Sequence, residues 1–249
     1  MLRFVRSEFS GLIKRPAFLM FLFLLSLVMM FQLTYNADRL TSPMTSLVTT
    51  PLLLSNIMTS LFMAYLASAS FAREFEHRTL NILLTTPLKR TEIYIGKMLS
   101  LFCLIPIMTV FNSLYVYSLT LSYGLLPDAI GNMVPYELGL SALYFASIIS
   151  LTMLISIFLR KSSTVLIIMV VFTLISAFIG LPAVITSPYG YSVNYGFVSL
   201  LPASTMVSGM LVANSYFVVE GGLVPLQLAF LLVTVILGVL LFRRSELWG

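Results

Sequence analysis

Long stretches without charge constrain this sequence more than any other feature. No Lys, Arg, Asp or Glu occurs in residues 16–37, 40–72, 98–127, 138–159, 162–219 and 221–242. A helix needs about 20 mostly apolar residues to cross the hydrocarbon core of a bilayer, so each stretch is long enough for one crossing. Only 9% of the 249 residues are charged and 59% are hydrophobic, which excludes a soluble enzyme or a soluble nucleic-acid-binding protein. We therefore expect an all-α integral membrane protein.

Helix breakers and flanking charges divide these stretches into six predicted membrane spans. The spans are residues 17–34, 51–72, 98–123, 138–159, 163–184 and 224–242. Several prolines and glycines interrupt the longest stretch after the fifth span, which favours an irregular segment over a further crossing. The sequence thus predicts a single six-span domain over residues 1–249, with a re-entrant or short helical outer segment at residues 185–223.

The basic residues predict the orientation of these spans. With six crossings, 13 of the 14 Lys and Arg residues lie on the side that carries both termini, and Arg39 alone lies on the other. Such an excess is typical of cytoplasmic loops, so both termini are predicted to be cytoplasmic in a multi-pass protein of the cell membrane. The pI near 9.4 then indicates contact with anionic membrane lipid rather than with nucleic acid.

Residues 1–15 precede the first span and alternate between apolar and basic positions. Leu2, Val5 and Phe9 recur at helical spacing, and Arg3 and Arg6 occupy other positions. This pattern predicts an amphipathic helix on the cytoplasmic membrane surface. A basic topology anchor with no further role is the alternative.

Residues 73–97 form the only sizeable cytoplasmic loop of the six-span layout. Their first half has helical periodicity, with Glu74 four residues before Arg78 in the order that favours a helical ion pair. Pro87 ends that helix, and Thr91 is predicted to cap a second helix that enters the third span. Charges of both signs on one face favour a protein partner, although the helix could also rest on lipid headgroups.

Sequence motifs for catalysis are absent. The chain has no G-x-x-x-x-G-K-[ST] phosphate loop, no H-E-x-x-H and no G-x-S-x-G, and it contains one cysteine, Cys103, and one histidine, His77. We therefore expect no enzymatic activity, no bound cofactor and no metal site in this chain.

Small and hydroxylated residues recur along the second and fifth predicted spans. The spacing is typical of closely packed membrane helices and indicates either ordinary packing within the chain, or a substrate pathway or dimer face. The residues concerned are Asn56, Ser60, Ala64, Ser68, Thr173, Ser176 and Gly180. Ionisable side chains are missing from the span interiors, which weighs against a proton-coupled carrier.

The loop at residues 73–97 carries a spaced pattern made of Glu74, Thr79, Leu80, Leu83, Leu84, Thr86, Pro87, Arg90, Gly96 and Lys97. This pattern resembles the segment between the second and third spans of ABC type-2 transporter permeases, which typically reads E-x-x-x-(G)T-L-x-x-L-L-x-(T/S)P-(L)-x-R-x-x-x-x-x-(G)K. Arg78 stands where many members have glycine. The six spans, the cytoplasmic termini and the N-terminal surface helix fit the same family.

The resemblance implies a half-transporter that works as an exporter in a prokaryotic cell membrane. Two permease copies would pair, and a separate ABC ATPase subunit would hold ATP and Mg beneath each. Residues 74–84 would form a coupling helix that contacts the ATPase. The second and fifth spans would line the path between the copies, and the outer segment would form part of an exit gate.

The same resemblance implies roles for individual residues of the loop. Phe75, Ile82 and Leu83 would hold the coupling helix in the ATPase groove, and Glu74 and Arg78 would fix its register. Arg90 and Lys97 would anchor the following connection at the membrane surface. Thr79, Leu80, Leu84 and Pro87 complete the expected ATPase-coupling set. Two other functions fit the composition: a secondary carrier or channel that works alone, and a membrane anchor or assembly factor that transports nothing.

Overall fold

The computed structural model describes residues 2–37, 44–77, 89–122, 127–185 and 223–244, and nearly all of these residues are helical. The helices in these ranges are α1 (Leu2–Ile13), α2 (Pro16–Ala37), α3 (Met44–Glu76), α4 (Arg90–Phe102), α5 (Ile105–Ser122), α6 (Pro127–Leu159), α7 (Ser162–Ile185) and α8 (Leu223–Arg244). The described residues contain no strand, so the predicted all-α class is confirmed.

Four helical segments in the described residues are long and apolar enough to cross a membrane. They are Leu54–Glu76, Arg90–Asn112, Gly139–Leu159 and Val224–Arg244. A fifth candidate is the pair α1 and Pro16–Val28, which are bent by 54° relative to each other, while Ser162–Ser176 is a shorter apolar helix. The described chain therefore has four candidate spans, or five with the bent pair, and the six-span layout stays a prediction. Residues 186–222 of the predicted outer segment lie outside the described residues.

Pro16 accounts for the break between α1 and α2. Proline lacks a backbone N–H and is tolerated only in the first turn of a helix, so Pro16 begins α2 instead of continuing α1. Leu12 is buried and Phe9 and Ile13 pack against the core, whereas Leu2 is exposed. The amphipathic helix is present, but its first apolar residue does not join the buried face. The position of α1 at a membrane surface stays a prediction.

The start of α4 corrects the predicted cap at Thr91. The helix begins at Arg90, with Lys89 as its N-cap residue, and Thr91 lies inside the first turn. The Lys89 backbone N–H donates to Oε2 of Glu92 over 2.9 Å. A carboxylate at the third helical position satisfies an otherwise unpaired N–H and suits the positive end of the helix dipole, which explains why the helix starts before the threonine.

Helices α3 and α6 form the centre of the bundle. Helix α3 packs against α2, α4, α5, α6 and α7, and α6 packs against α4, α5, α7 and α8. Their inward faces bury Met63, Leu66 and Phe71 from α3, and Phe145 and Ile149 from α6. Large apolar side chains remain exposed on the outer faces of α2, α7 and α8, as expected for surfaces that contact lipid chains. Helices α3 and α6 therefore lie between the other helices of the bundle.

Candidate functional site

A lysine ammonium group with almost no exposure lies beside the charged end of α3. Lys97 lies on α4, and its side chain is 1% exposed. Its Nζ atom lies 2.6 Å from Oε1 of Glu74, in the last turn of α3, and 3.4 Å from Oε2 of Glu8 on α1. It also donates to the backbone carbonyl of Ser70 over 3.3 Å. One ammonium group thus joins α1, α3 and α4, and we call Glu8, Glu74 and Lys97 the ion trio.

The buried charge of Lys97 requires the other two members of the ion trio, because a buried charge without partners lowers the stability of the protein. Moving an ion out of water costs several kcal/mol in proteins, and nearby opposite charges offset that cost only with good geometry. The short Glu74–Lys97 contact has the length of a strong charge-assisted hydrogen bond. Both carboxylates keep roughly a quarter of their side chains exposed, at 22% for Glu74 and 24% for Glu8. The lysine is therefore the fixed member of the trio, and the carboxylates are its partly hydrated partners.

Packing beside the ion trio brings α1 close to α4. A Cβ atom placed on Gly96 would lie 2.8 Å from Cδ1 of Phe4, which is closer than such atoms approach in proteins. Glycine at position 96 therefore allows the Phe4 ring to lie directly against the α4 backbone. The Lys97 Nζ atom lies 6.0 Å from the centroid of the same ring, within the range of a cation–π contact.

Four aromatic rings form a cluster next to the ion trio. Phe71 and Phe75 lie on α3, Tyr94 on α4 and Phe242 on α8. The centroid of Phe71 is 5.2 Å from that of Phe75, 5.5 Å from that of Tyr94 and 5.3 Å from that of Phe242, all within the favourable range for aromatic pairs. The cluster joins the end of α3 to both α4 and α8. The Tyr94 ring contacts Gly238 of α8 so closely that a side chain there would clash.

The turn between α6 and α7 also contacts the end of α3. Oε2 of Glu76 accepts a hydrogen bond from the backbone N–H of Ser162, the first residue of α7, over 3.2 Å. Arg160 has a φ of 52°, a left-handed conformation that is common where a helix ends, and its guanidinium carbon lies 5.9 Å from the Phe75 ring centroid. The last turn of α3 therefore has contacts to α4, α7, α8 and the turn before α7, and Lys97 links it to α1.

The predicted ATPase-coupling residues divide into those that the structure describes and those that it does not. Glu74 and Phe75 lie in the last turn of α3, and Arg90 and Lys97 lie on α4. The other predicted coupling residues lie outside the described ranges: Arg78, Thr79, Leu80, Ile82, Leu83, Leu84 and Pro87.

Lys97 requires a correction of its predicted role as a surface anchor. Its ammonium group is buried among helices and binds Glu74, because the side chain lies on the face of α4 that also buries Ile93 and Leu101. Those residues are four positions before and after Lys97, so all three share one side of the helix. A lone cation in an apolar stripe was the sequence signal for this buried position. Glu8 was missed altogether, and its signal was an acidic residue in an otherwise basic helix.

The small residues proposed for a pathway or dimer face are buried inside the chain. Asn56, Ser60, Ala64, Ser68, Thr173 and Ser176 all have at most 2% exposure, and the side-chain environment of Gly180 lies outside the described residues. Their hydroxyl groups mostly bond to carbonyls of their own helices, as Ser60 does to Ile57 over 2.7 Å. The described six therefore fit ordinary packing between helices, and within one copy none of them is on an open face available to a second copy.

A polar network that the sequence analysis missed joins α3 to α5. Asn112 donates from Nδ2 to Oδ1 of Asn56 over 3.1 Å, and its Oδ1 accepts from the hydroxyl of Ser55 over 2.8 Å. All three side chains are buried. Such hydrogen bonds between membrane helices contribute about 0.6 kcal/mol each on average, so the network fixes register more than it adds stability.

Comparison with known proteins covers almost the whole chain. A family model described as ABC-2 family transporter protein matches residues 4–247, which include the ion trio, the aromatic cluster and the Asn112 network. A search of curated proteins found no significant match. Since the family match extends far beyond half of the sequence, the chain belongs to the ABC-2 transporter family of membrane proteins.

Proposed function

We propose that this chain is the membrane-spanning permease subunit of an ABC exporter. Members of the ABC-2 family generally work with an ABC ATPase, and this sequence has no phosphate loop of its own. In the proposal a separate ATPase subunit binds ATP and Mg and contacts residues 74–84 from the cytoplasm. Two permease copies pair in the cell membrane, each with six spans and with both termini in the cytoplasm.

The observation that carries this proposal is the link between the two ends of the cytoplasmic loop. The loop leaves α3 beyond Glu74 and enters α4 before Lys97, and these two side chains bind each other over 2.6 Å. A force applied to the loop therefore acts on α3 and α4 together. Without this bond, the loop would pull on two helices that can separate.

The aromatic cluster and the α6–α7 turn extend that link to the rest of the bundle. Phe71 and Phe75 contact α4 and α8, and Glu76 binds the first residue of α7. Packed helices move as rigid units, and a small displacement at one end switches the whole arrangement between discrete states. ATP-driven closure of the ATPases would in this way favour the outward-open state of the permease. Such a shift requires that the closed ATPases bind the outward-open state more tightly than the inward-open state.

The test is nucleotide-dependent transport by a complex of permease and ATPase in proteoliposomes. We expect Glu74→Lys to abolish transport, because it places two ammonium groups together, and Leu83→Asp to do the same by placing a charge on the expected contact with the ATPase. Both variants should still insert into the membrane. Ser163→Lys is the control, since it adds a lysine at an exposed position of α7 outside residues 74–84 and should leave transport unchanged.

Three results would contradict the proposal. Normal transport in both variants would show that the loop does not transmit force. Substrate movement by the chain alone, without ATPase or nucleotide, would favour a secondary carrier or channel. The chain could instead bind an ATPase stably while no compound in a panel of transported compounds changes the rate of ATP hydrolysis. That result would favour a membrane anchor.

A further inference from the structure

Helix α1 contacts α4 at two adjacent residues, Gly96 and Lys97. The Phe4 ring lies against Gly96, and Glu8 pairs with Lys97. Glu8 follows Phe4 by four positions, so both lie on one face of α1. Any rotation of α4 that displaces the Lys97 side chain therefore displaces the surface on which Phe4 rests.

The partners of the Lys97 ammonium group are unequal. An ammonium group has three N–H donors, and three acceptors surround this one: Glu74 at 2.6 Å, the Ser70 carbonyl at 3.3 Å and Glu8 at 3.4 Å. The two nearest acceptors belong to α3, and the third belongs to α1. If α1 moved away, the buried charge would keep both partners on α3. If α3 moved away, the charge would keep only Glu8, at a longer distance.

The two carboxylates compete for one positive charge. A position of the ammonium group close to Glu74 leaves Glu8 further away, which is the arrangement observed here. Moving Glu74 outward would let the ammonium group approach Glu8, because an opposite charge at short range is strongly attractive in a site with little water. The Glu8–Lys97 distance therefore depends on the position of the end of α3.

We propose that Lys97 is a positioning residue of the transport cycle that couples the end of α3 to α1, so that movement of Glu74 changes the Glu8–Lys97 distance and the contact of α1 with α4. The inference rests on the proposed function, because the ATPase supplies the movement of α3. It adds α1 to the parts of the chain that respond to nucleotide.

The experiment follows the accessibility of α1 in the complex with the ATPase. Cys103 is the single cysteine, so Cys103→Ser gives a cysteine-free background. Val5→Cys then reports on the α1–α4 contact, since Val5 Cγ2 lies 3.8 Å from a Cβ atom built on Gly96. His77→Cys, at the exposed end of α3, reports on the ATPase side. The labelling rate with a water-soluble maleimide is measured without nucleotide and with ATP and vanadate.

We expect nucleotide to change the labelling rate at both positions when the ion trio is intact. Glu8→Gln should raise the rate at position 5 several-fold without nucleotide, because it removes the partly exposed ion pair with Lys97 that holds α1 against α4. The same variant should remove the nucleotide response at position 5 and keep it at position 77. Lys97→Arg, which retains the charge, should keep both responses. Lys14→Gln is the control, because it removes a charge from an exposed residue just after α1 and leaves the ion trio intact, so both responses should stay as they are.

The outcomes separate the inference from the function on which it rests. A nucleotide response at position 77 without one at position 5 would overturn the inference alone. An unchanged response at position 5 in the Glu8→Gln variant would overturn it as well. Absence of any nucleotide response at both positions, with the ATPase bound and hydrolysing ATP, would overturn the proposed function and the inference together.

Discussion

At the scale of single residues, burial of charge outweighs every other polar interaction in the described chain. The Lys97 ammonium group is nearly inaccessible, whereas its two carboxylate partners remain partly hydrated. Removing one member of a buried ion pair costs about 3–5 kcal/mol, several times the value of a neutral hydrogen bond between membrane helices. The Asn112 network therefore contributes less to stability than the ion trio.

The first residue-scale prediction concerns Lys97→Met, which keeps an unbranched side chain of similar length and removes the charge. We expect a loss of about 3 kcal/mol in stability, at the lower end of the range for buried pairs because the remaining carboxylates reach solvent. Thermal unfolding of the purified protein in detergent measures the change. The control is Lys161→Met, which removes an exposed lysine and should leave the midpoint unchanged. Equal midpoints for the two variants would contradict the cost assigned to the buried charge.

At the scale of helices, the sequence predicted the elements well and their contacts poorly. Charge-free stretches and proline positions are local signals, so each of the six predicted spans overlaps a helix of the structure, with the third divided between α4 and α5 at Cys103 and Leu104. The partner of Lys97 depends on tertiary packing, because Glu74 lies 23 positions earlier in the chain. The expected Glu74–Arg78 pair was predicted from helical spacing alone, and spacing within one helix carries no information about residues on neighbouring helices. Phe4 on Gly96 and Tyr94 on Gly238 were missed for the same reason.

An element-scale prediction concerns the contact between α4 and α8. Gly238→Ala should destabilise the protein by about 1–3 kcal/mol, the usual cost of overpacking, because the new methyl group would meet the buried Tyr94 ring. Tyr94→Phe should by itself be nearly neutral, since the Tyr94 hydroxyl has no hydrogen-bond partner among the described residues. Because the phenolic oxygen is the atom closest to the new methyl group, Gly238→Ala should lower the stability by less in the Tyr94→Phe variant than in the unchanged protein. Additive effects in thermal unfolding would contradict direct contact between the two positions.

At the scale of the whole molecule, residues of α1, α4, α7 and α8 meet at one charged end of α3. The neutral Asn112 network joins the middle of α5 to residues 55 and 56 of α3, whereas the end of α3 near residue 77 lies beside the ion trio, the aromatic cluster and the α6–α7 turn. The segment with the family-like pattern, residues 74–97, contains Glu74 and Lys97 of this site. That arrangement suits a permease that receives force from outside its own chain, and the family match over residues 4–247 fits the same conclusion.

Site-specific photo-cross-linking from position 77 tests this account most directly. A photoreactive benzoyl-phenylalanine replaces His77 at the exposed end of α3, and the same residue replaces Leu237 on the exposed face of α8 as the control. After irradiation in native membranes, mass spectrometry identifies the attached protein. The account predicts that position 77, and not position 237, captures a subunit with a G-x-x-x-x-G-K-[ST] phosphate loop. Capture of lipid alone at both positions, in membranes that still transport, would contradict it.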